Sequence, residues 1–405
     1  MSWGEGNLKE VSARGIASEK VFGESCQYIF GMLSFNKQSL LDEGVVNVRR
    51  SAGLVLLMIT LFAAFAFSSG CRERTKTPLV EQQKETLFRP VFCAFYVNGR
   101  GQGSSFASLQ EHQGLIDELS PLWYRLRGDG TLDAEVDGEA LELVREEGIK
   151  VIPLVALAGN KSSVVFTDPV VREAAVANIS RVVRENGYDG INLDLEMIKT
   201  AGRDYSAERE GLASLLMELH QELKPLGKRL DVCVTPPVEP PSHLAPLYDL
   251  PKLAQAVDRI VLMTYDFRHS GSAPGPVAPL PWVEANLKEV LSMGTAPEKV
   301  SLGAAAYGYD WTVGGTRAVA RGSREIGELA AERGVQVSWD RESQVPYINY
   351  SDPQIGDRVV WFENGASAAK KFEMVKKYKL AGCSFWRLGF EGEDFWDEAE
   401  RVVLE

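Results

Sequence analysis

The segment Tyr188–Ile198 reads YDGINLDLEMI and holds Asn192, Asp194 and Glu196 at alternate positions, separated by leucines. In a strand, side chains alternate between two faces. These three polar groups therefore share one face, and Ile191, Leu193 and Leu195 share the other. Buried carboxylates are costly unless paired or protonated. Two of them two residues apart push their pKa values apart, which leaves one ionised group beside one that holds a proton near neutral pH. That is the requirement for general acid catalysis. A solvated edge strand would also alternate, but the residues flanking this one are too apolar for an edge.

Three other segments could line the same site. Met263-Thr264-Tyr265-Asp266 ends an apolar run, as does Tyr307-Gly308-Tyr309-Asp310-Trp311, and Ser384-Phe385-Trp386-Arg387-Leu388-Gly389 carries a tryptophan in the last apolar run. Tyr96, in the first apolar run, is a further candidate for substrate contact. The loop 268–281, rich in Gly, Ser and Pro, could shape one rim. Each of these also has a purely structural reading: a turn at Tyr265-Asp266, core packing at Trp386, packing under an insertion at Tyr307 and Tyr309.

The elements that must hold these residues alternate along the chain. Eight short, nearly continuous apolar runs (PVFCAFYV, SPLWYRL, KVIPLVAL, YDGINLDLEMI, RLDVCVTPPV, DRIVLMTYDF, KVSLGAAAYGYDW and AGCSFWRLGF) are mostly separated by helical patterns. Such runs read as strands buried on both faces. Gly148, Gly187 and Gly227 stand where helices should close in a left-handed cap. The expectation is an α/β fold, a (β/α)8 TIM barrel over 87–405. An open doubly wound sheet is the rival, though no GxGxxG follows the first strand. The stretch 312–364 breaks the alternation and reads as a small α+β insertion between strand 7 and helix 8.

The acidic segment resembles the signature of glycoside hydrolase family 18, Asp-x-x-Asp-x-Asp-x-Glu, here Asp189-Gly-Ile-Asn192-Leu-Asp194-Leu-Glu196. Asn192 replaces the second Asp, a substitution also seen in the similar spore-germination and cortex-lytic branch. The resemblance continues in Met263–Asp266 and in Trp386. It implies substrate-assisted retention, an exception to the two-carboxylate rule. Glu196 would protonate the leaving oxygen, Asp194 would orient the substrate's own acetamido group, and Tyr265 would support it. Asn192, Asp266, Trp386, Tyr307, Tyr309 and Tyr96 would contact the glycan. No metal or cofactor is implied. The third run lacks the Ser-x-Gly-Gly of many chitinases, which shifts the expected substrate from chitin toward peptidoglycan or spore cortex. A non-catalytic chitinase-like lectin and a barrel hydrolase of another class are the alternatives.

Composition bounds the rest. The chain has 405 residues, a net charge of −12 and 45% hydrophobic residues. An acidic surface repels phosphate, so nucleic acid is not an expected partner. Four widely spaced His and five Cys without a CxxC pair give no metal cluster and no disulfide framework. Ala52–Phe67 is uncharged, follows Arg49-Arg50 and precedes Ser68-Ser69-Gly70-Cys71. It is shorter than the ~20 residues of a membrane span and suits a secretion signal. The expectation is a signal peptide or membrane anchor over 49–71, with Cys71 as a lipidation site. Residues 1–48 read as an extension without a compact fold, and 72–86 as a linker. The protein is thus expected outside the cytoplasm, membrane-anchored or secreted.

Overall fold

The computed structural model describes residues 88–401. The expected extension, the signal or anchor segment with Cys71 and the linker lie outside the described residues. Among the described residues, no helix is long and apolar enough to cross a membrane.

The strands in chain order begin with Val91–Tyr96 (β1), Glu118–Leu126 (β2), Leu132–Ala134 (β3), Lys150–Val151 (β4), Leu154–Leu157 (β5), Gly190–Asp194 (β6), Arg229–Val234 (β7), Arg259–Met263 (β8) and Val300–Ala305 (β9). Then come Tyr307–Thr312 (β10), Ala318–Gly322 (β11), Ser338–Asp340 (β12), Val345–Asp352 (β13), Gly356–Phe362 (β14) and Gly382–Trp386 (β15). Eight of them pair in the order β1-β15-β9-β8-β7-β6-β5-β2, and β2 returns to β1. Every one of those pairings is parallel, so the sheet is a closed barrel. The eight apolar runs supply these eight strands, and the open-sheet rival is excluded by the β1–β2 closure. Between β4 and β5 the chain passes through Pro153, which has no N–H to give to a ladder.

Helices pack outside the barrel. Pro169–Asn186 shows how the sequence sets their ends. The Asp168 side chain accepts from the Val170 N–H, proline occupies the first turn, and Gly187 closes the helix at φ 65°. Gly148 and Gly227 also have left-handed φ, at 70° and 64°.

Strand parity divides the core in two. Phe92, Ala94 and Tyr96 of β1 belong to the large cluster that includes the helices, together with Ile191, Leu193 and Leu195 of β6. Phe95, Leu154, Cys233, Val261 and Met263 form a separate interior cluster. The barrel floor is ionic. Glu118, at the start of β2, accepts from Arg229 at 2.7 and 2.6 Å and from Arg259 at 2.6 Å. Burial alone would raise the Glu118 carboxyl, but the two guanidiniums more than offset it and hold it below the usual range.

β10 to β14 form a second, antiparallel sheet in the order β11-β10-β14-β13-β12. The helix Ser323–Arg333 covers one face, with Ile326 and Ala330 against Ile348, Val360 and Phe362. Asp310 is fully buried in this sheet and accepts from Arg358 at 2.8 Å, Arg321 at 3.0 Å and Tyr350 at 2.8 Å. The sheet begins at Tyr307, not at 312. Tyr307–Trp311 is therefore its first strand rather than the end of the seventh barrel strand. Periodicity merges the two because only Ala306 separates β9 from β10.

Candidate active site

The site is built at the C-terminal ends of the barrel strands. Asn192 and Asp194 lie within β6 on its inward face, and Glu196 follows two residues past its end. The residues between them, Leu193 and Leu195, are fully buried on the helix side. Asp194 Oδ1 is buried and accepts no hydrogen bond. Loss of solvent pushes its carboxyl up to about 6. Glu196 is partly exposed.

Tyr265, just past β8, faces this pair. It packs on the interior cluster beside Cys233 and Met263. Burial, then Cys233, Asp194, Glu196 and Asp266, push its hydroxyl well above the usual range, so it remains a hydrogen-bond donor. Trp386, at the end of β15, is half-buried and leans on Phe95, with ring centroids 5.5 Å apart. The two carboxylates, the Tyr265 hydroxyl and the Trp386 face thus come from strands far apart in the chain.

Asp266 adopts φ 62°, a left-handed conformation that Asp tolerates better than most residues. Its Oδ1 accepts from the Tyr307 hydroxyl at 2.5 Å and from Tyr309 at 2.8 Å. Burial raises the Asp266 carboxyl, partly offset by these two donors.

The structure revises several expected contacts. Tyr307 and Tyr309 are buried, 4% and 6% exposed, and both spend their hydroxyls on Asp266. They position a carboxylate rather than line a sugar. Tyr96 is fully buried on the helix side of β1, where its hydroxyl donates to Asp137 at 2.5 Å. It cannot contact a glycan in the barrel mouth. The inward residue there is Phe95. Asn192 is only 2% exposed and is held by Ser120 and Cys233 below Asp194, so it too is no open substrate contact. Ser120 and Cys233 carried no sequence signal, because both acquire their role through neighbouring strands. Cys93, Cys233 and Cys383 are free and buried.

The comparison with known families decides the assignment. The model of glycosyl hydrolases family 18 matches residues 106–391, most of the chain and nearly all of the barrel. The chain belongs to that family. It is similar to the sporulation-specific glycosylase YdhD of Bacillus subtilis, at 30% identity over 229 residues, which are 55% of this chain and 52% of that one. It is also similar to the cortical fragment-lytic enzyme of Bacillus cereus, at 27% identity over 290 residues, 67% of this chain and 65% of that one. The chain thus spans about half to two thirds of the length of these two relatives. A crystal structure of a chitinase from Chromobacterium violaceum shares the fold, with a TM-score of 0.70, 24% identity and coverage of 78% of this chain and 99% of that one.

Proposed function

We propose that this family 18 glycosidase cleaves β-1,4 bonds of an N-acetylglucosamine-containing envelope glycan, peptidoglycan or spore cortex, by substrate-assisted retaining catalysis. The observation that carries the reading is the inward row Asp194–Glu196 facing Tyr265, with the Asp194 carboxyl raised by burial. Cortex over chitin rests on the similarity to the Bacillus sporulation-specific glycosylase and cortical fragment-lytic enzyme and on the missing Ser-x-Gly-Gly segment.

In this reading Glu196 donates its proton to the leaving glycosidic oxygen. The substrate's 2-acetamido oxygen attacks the anomeric carbon and forms an oxazolinium ion. Asp194 accepts from the acetamido N–H and stabilises the positive charge that develops there. Tyr265 donates to the acetamido oxygen and aligns it. Glu196, now a carboxylate, takes a proton from the water that opens the ring. Trp386 stacks under the sugar at the cleavage point, and Asp266 binds nearby hydroxyls. Cys71, as a lipidated residue, would tether the enzyme outside the cytoplasm beside its polymer. No metal or cofactor enters any of these steps.

The test uses the chain from about residue 81 onward, as wild type and as Glu196→Gln. Each is incubated with purified peptidoglycan, spore cortex fragments and chitooligosaccharides. New N-acetylglucosamine reducing ends from the wild type alone support the reading and name the glycan. Efficient cleavage of a substrate without N-acetyl groups would overturn it.

A further inference from the structure

Beneath Asp194, three strands bring together a small polar group that the proposed chemistry does not use. The Asn192 amide sits between Ser120 of β2 and Cys233 of β7. Its Nδ2 donates to Ser120 Oγ at 3.2 Å, and its Oδ1 accepts from the Cys233 thiol at 3.5 Å. All three side chains are nearly or fully buried. The two ends of an amide are not equivalent, since the oxygen only accepts and the nitrogen only donates. A thiol donates better than it accepts, so the carbonyl end belongs on the Cys233 side. Asp194, which lies near enough to Cys233 to act on it electrostatically, is left with a buried Oδ1 that nothing satisfies.

We propose that Cys233 and Ser120 are positioning residues that lock the Asn192 amide with its NH2 turned away from Asp194. The inference rests on the proposed reading of Asp194 as a working carboxylate. Burial holds the thiol protonated at every working pH, so the lock does not open by titration. The other titratable groups around Asp194 are Glu196 on its own element and Tyr265 after β8; its remaining neighbour, β5, presents Ala156. Released from the thiol, the amide can rotate and give its NH2 to Asp194, which would favour the ionised carboxylate.

Two readouts test this, in wild type, Cys233→Ala and Cys233→Ser. The first is the pH profile of kcat/KM. Cys233→Ala should move the acid limb down by roughly one unit, the worth of one hydrogen bond to a charged group. Cys233→Ser keeps a donor and should restore the wild-type limb. The second readout needs no activity: Tm measured from pH 4 to 7. Wild type should lose stability as pH rises toward 6, and Cys233→Ala should lose less. If Cys233→Ala does not fold, Ser120→Ala releases the amide from its other end and should shift both curves the same way. An acid limb and a Tm curve that keep their wild-type positions would overturn the lock. A wild type that turns over no glycan would instead count against the proposed function, and the Tm curves would still decide the lock.

Discussion

The Tyr307 hydroxyl donates to Asp266 Oδ1 at 2.5 Å, and it does so from a different sheet. Tyr307 opens the inserted antiparallel sheet, whereas Asp266 lies in the loop just past the barrel strand β8. Tyr309, next but one on the same strand, adds a second bond at 2.8 Å. The insertion therefore holds Asp266 at the barrel mouth, and the Trp311 indole N–H, donating to the Ser272 carbonyl at 2.9 Å, ties it to the same loop.

Removing both hydroxyls tests the hold on Asp266. The double variant Tyr307→Phe, Tyr309→Phe keeps the rings and strips Asp266 of its two donors. Each hydrogen bond to a charged group is worth about 1.5–3 kcal/mol. kcat/KM on the best glycan should fall by at least tenfold, with most of the change in KM. A lowered Tm with kcat/KM intact would mean that the orientation of Asp266 is irrelevant to turnover.

Glu196→Gln removes the proton donor while conserving shape. A positioned general acid contributes roughly 10²- to 10⁴-fold. kcat should drop by that order, with Tm unchanged because Glu196 is partly exposed. Single-turnover assays on cortex fragments would measure it, and turnover within a few-fold of wild type would rule Glu196 out as the acid.

Asp194 sets a pH dependence whose sign is fixed by burial. Its folded pKa, about 6, lies above the ordinary aspartate value of 3.8. The cost of charging it is absent below the lower value and complete above the upper one. Asp194→Asn should therefore be more stable than wild type at pH 7, by up to roughly 3 kcal/mol for a shift of this size, and the difference should vanish near pH 4. Denaturant unfolding of both proteins across that range is the measurement. An advantage that grows toward acid pH would contradict the assignment. The acid limb of wild-type kcat/KM should lie above the ordinary carboxylate range, because burial raises Asp194.

Phe95 and Tyr96 are neighbours on β1 with opposite consequences. Phe95 lies inside the barrel under Trp386, so Phe95→Ala should raise KM and lower stability by about 3–5 kcal/mol. Tyr96→Phe loses a buried bond to Asp137 on the helix side. It should cost about 1.5–3 kcal/mol of stability and leave kcat/KM unchanged. Kinetic effects in the reverse order would mean that β1 is turned the other way.

The sequence alone determined the eight-strand alternation and the acidic row of β6. Both are local patterns. A strand buried on two faces must be apolar along its length, and period two places Asn192, Asp194 and Glu196 on one side whatever the rest of the chain does. The tertiary structure decided everything that depends on register between distant strands. It turned Tyr96 outward and Phe95 inward, sent Tyr307 and Tyr309 to Asp266, and put Cys233 beneath Asp194. Ala306 alone separates two strands that belong to different sheets, and no periodicity marks such a break. Which face of a strand looks into a barrel is set by closure with its neighbours, and closure is a property of all eight strands together.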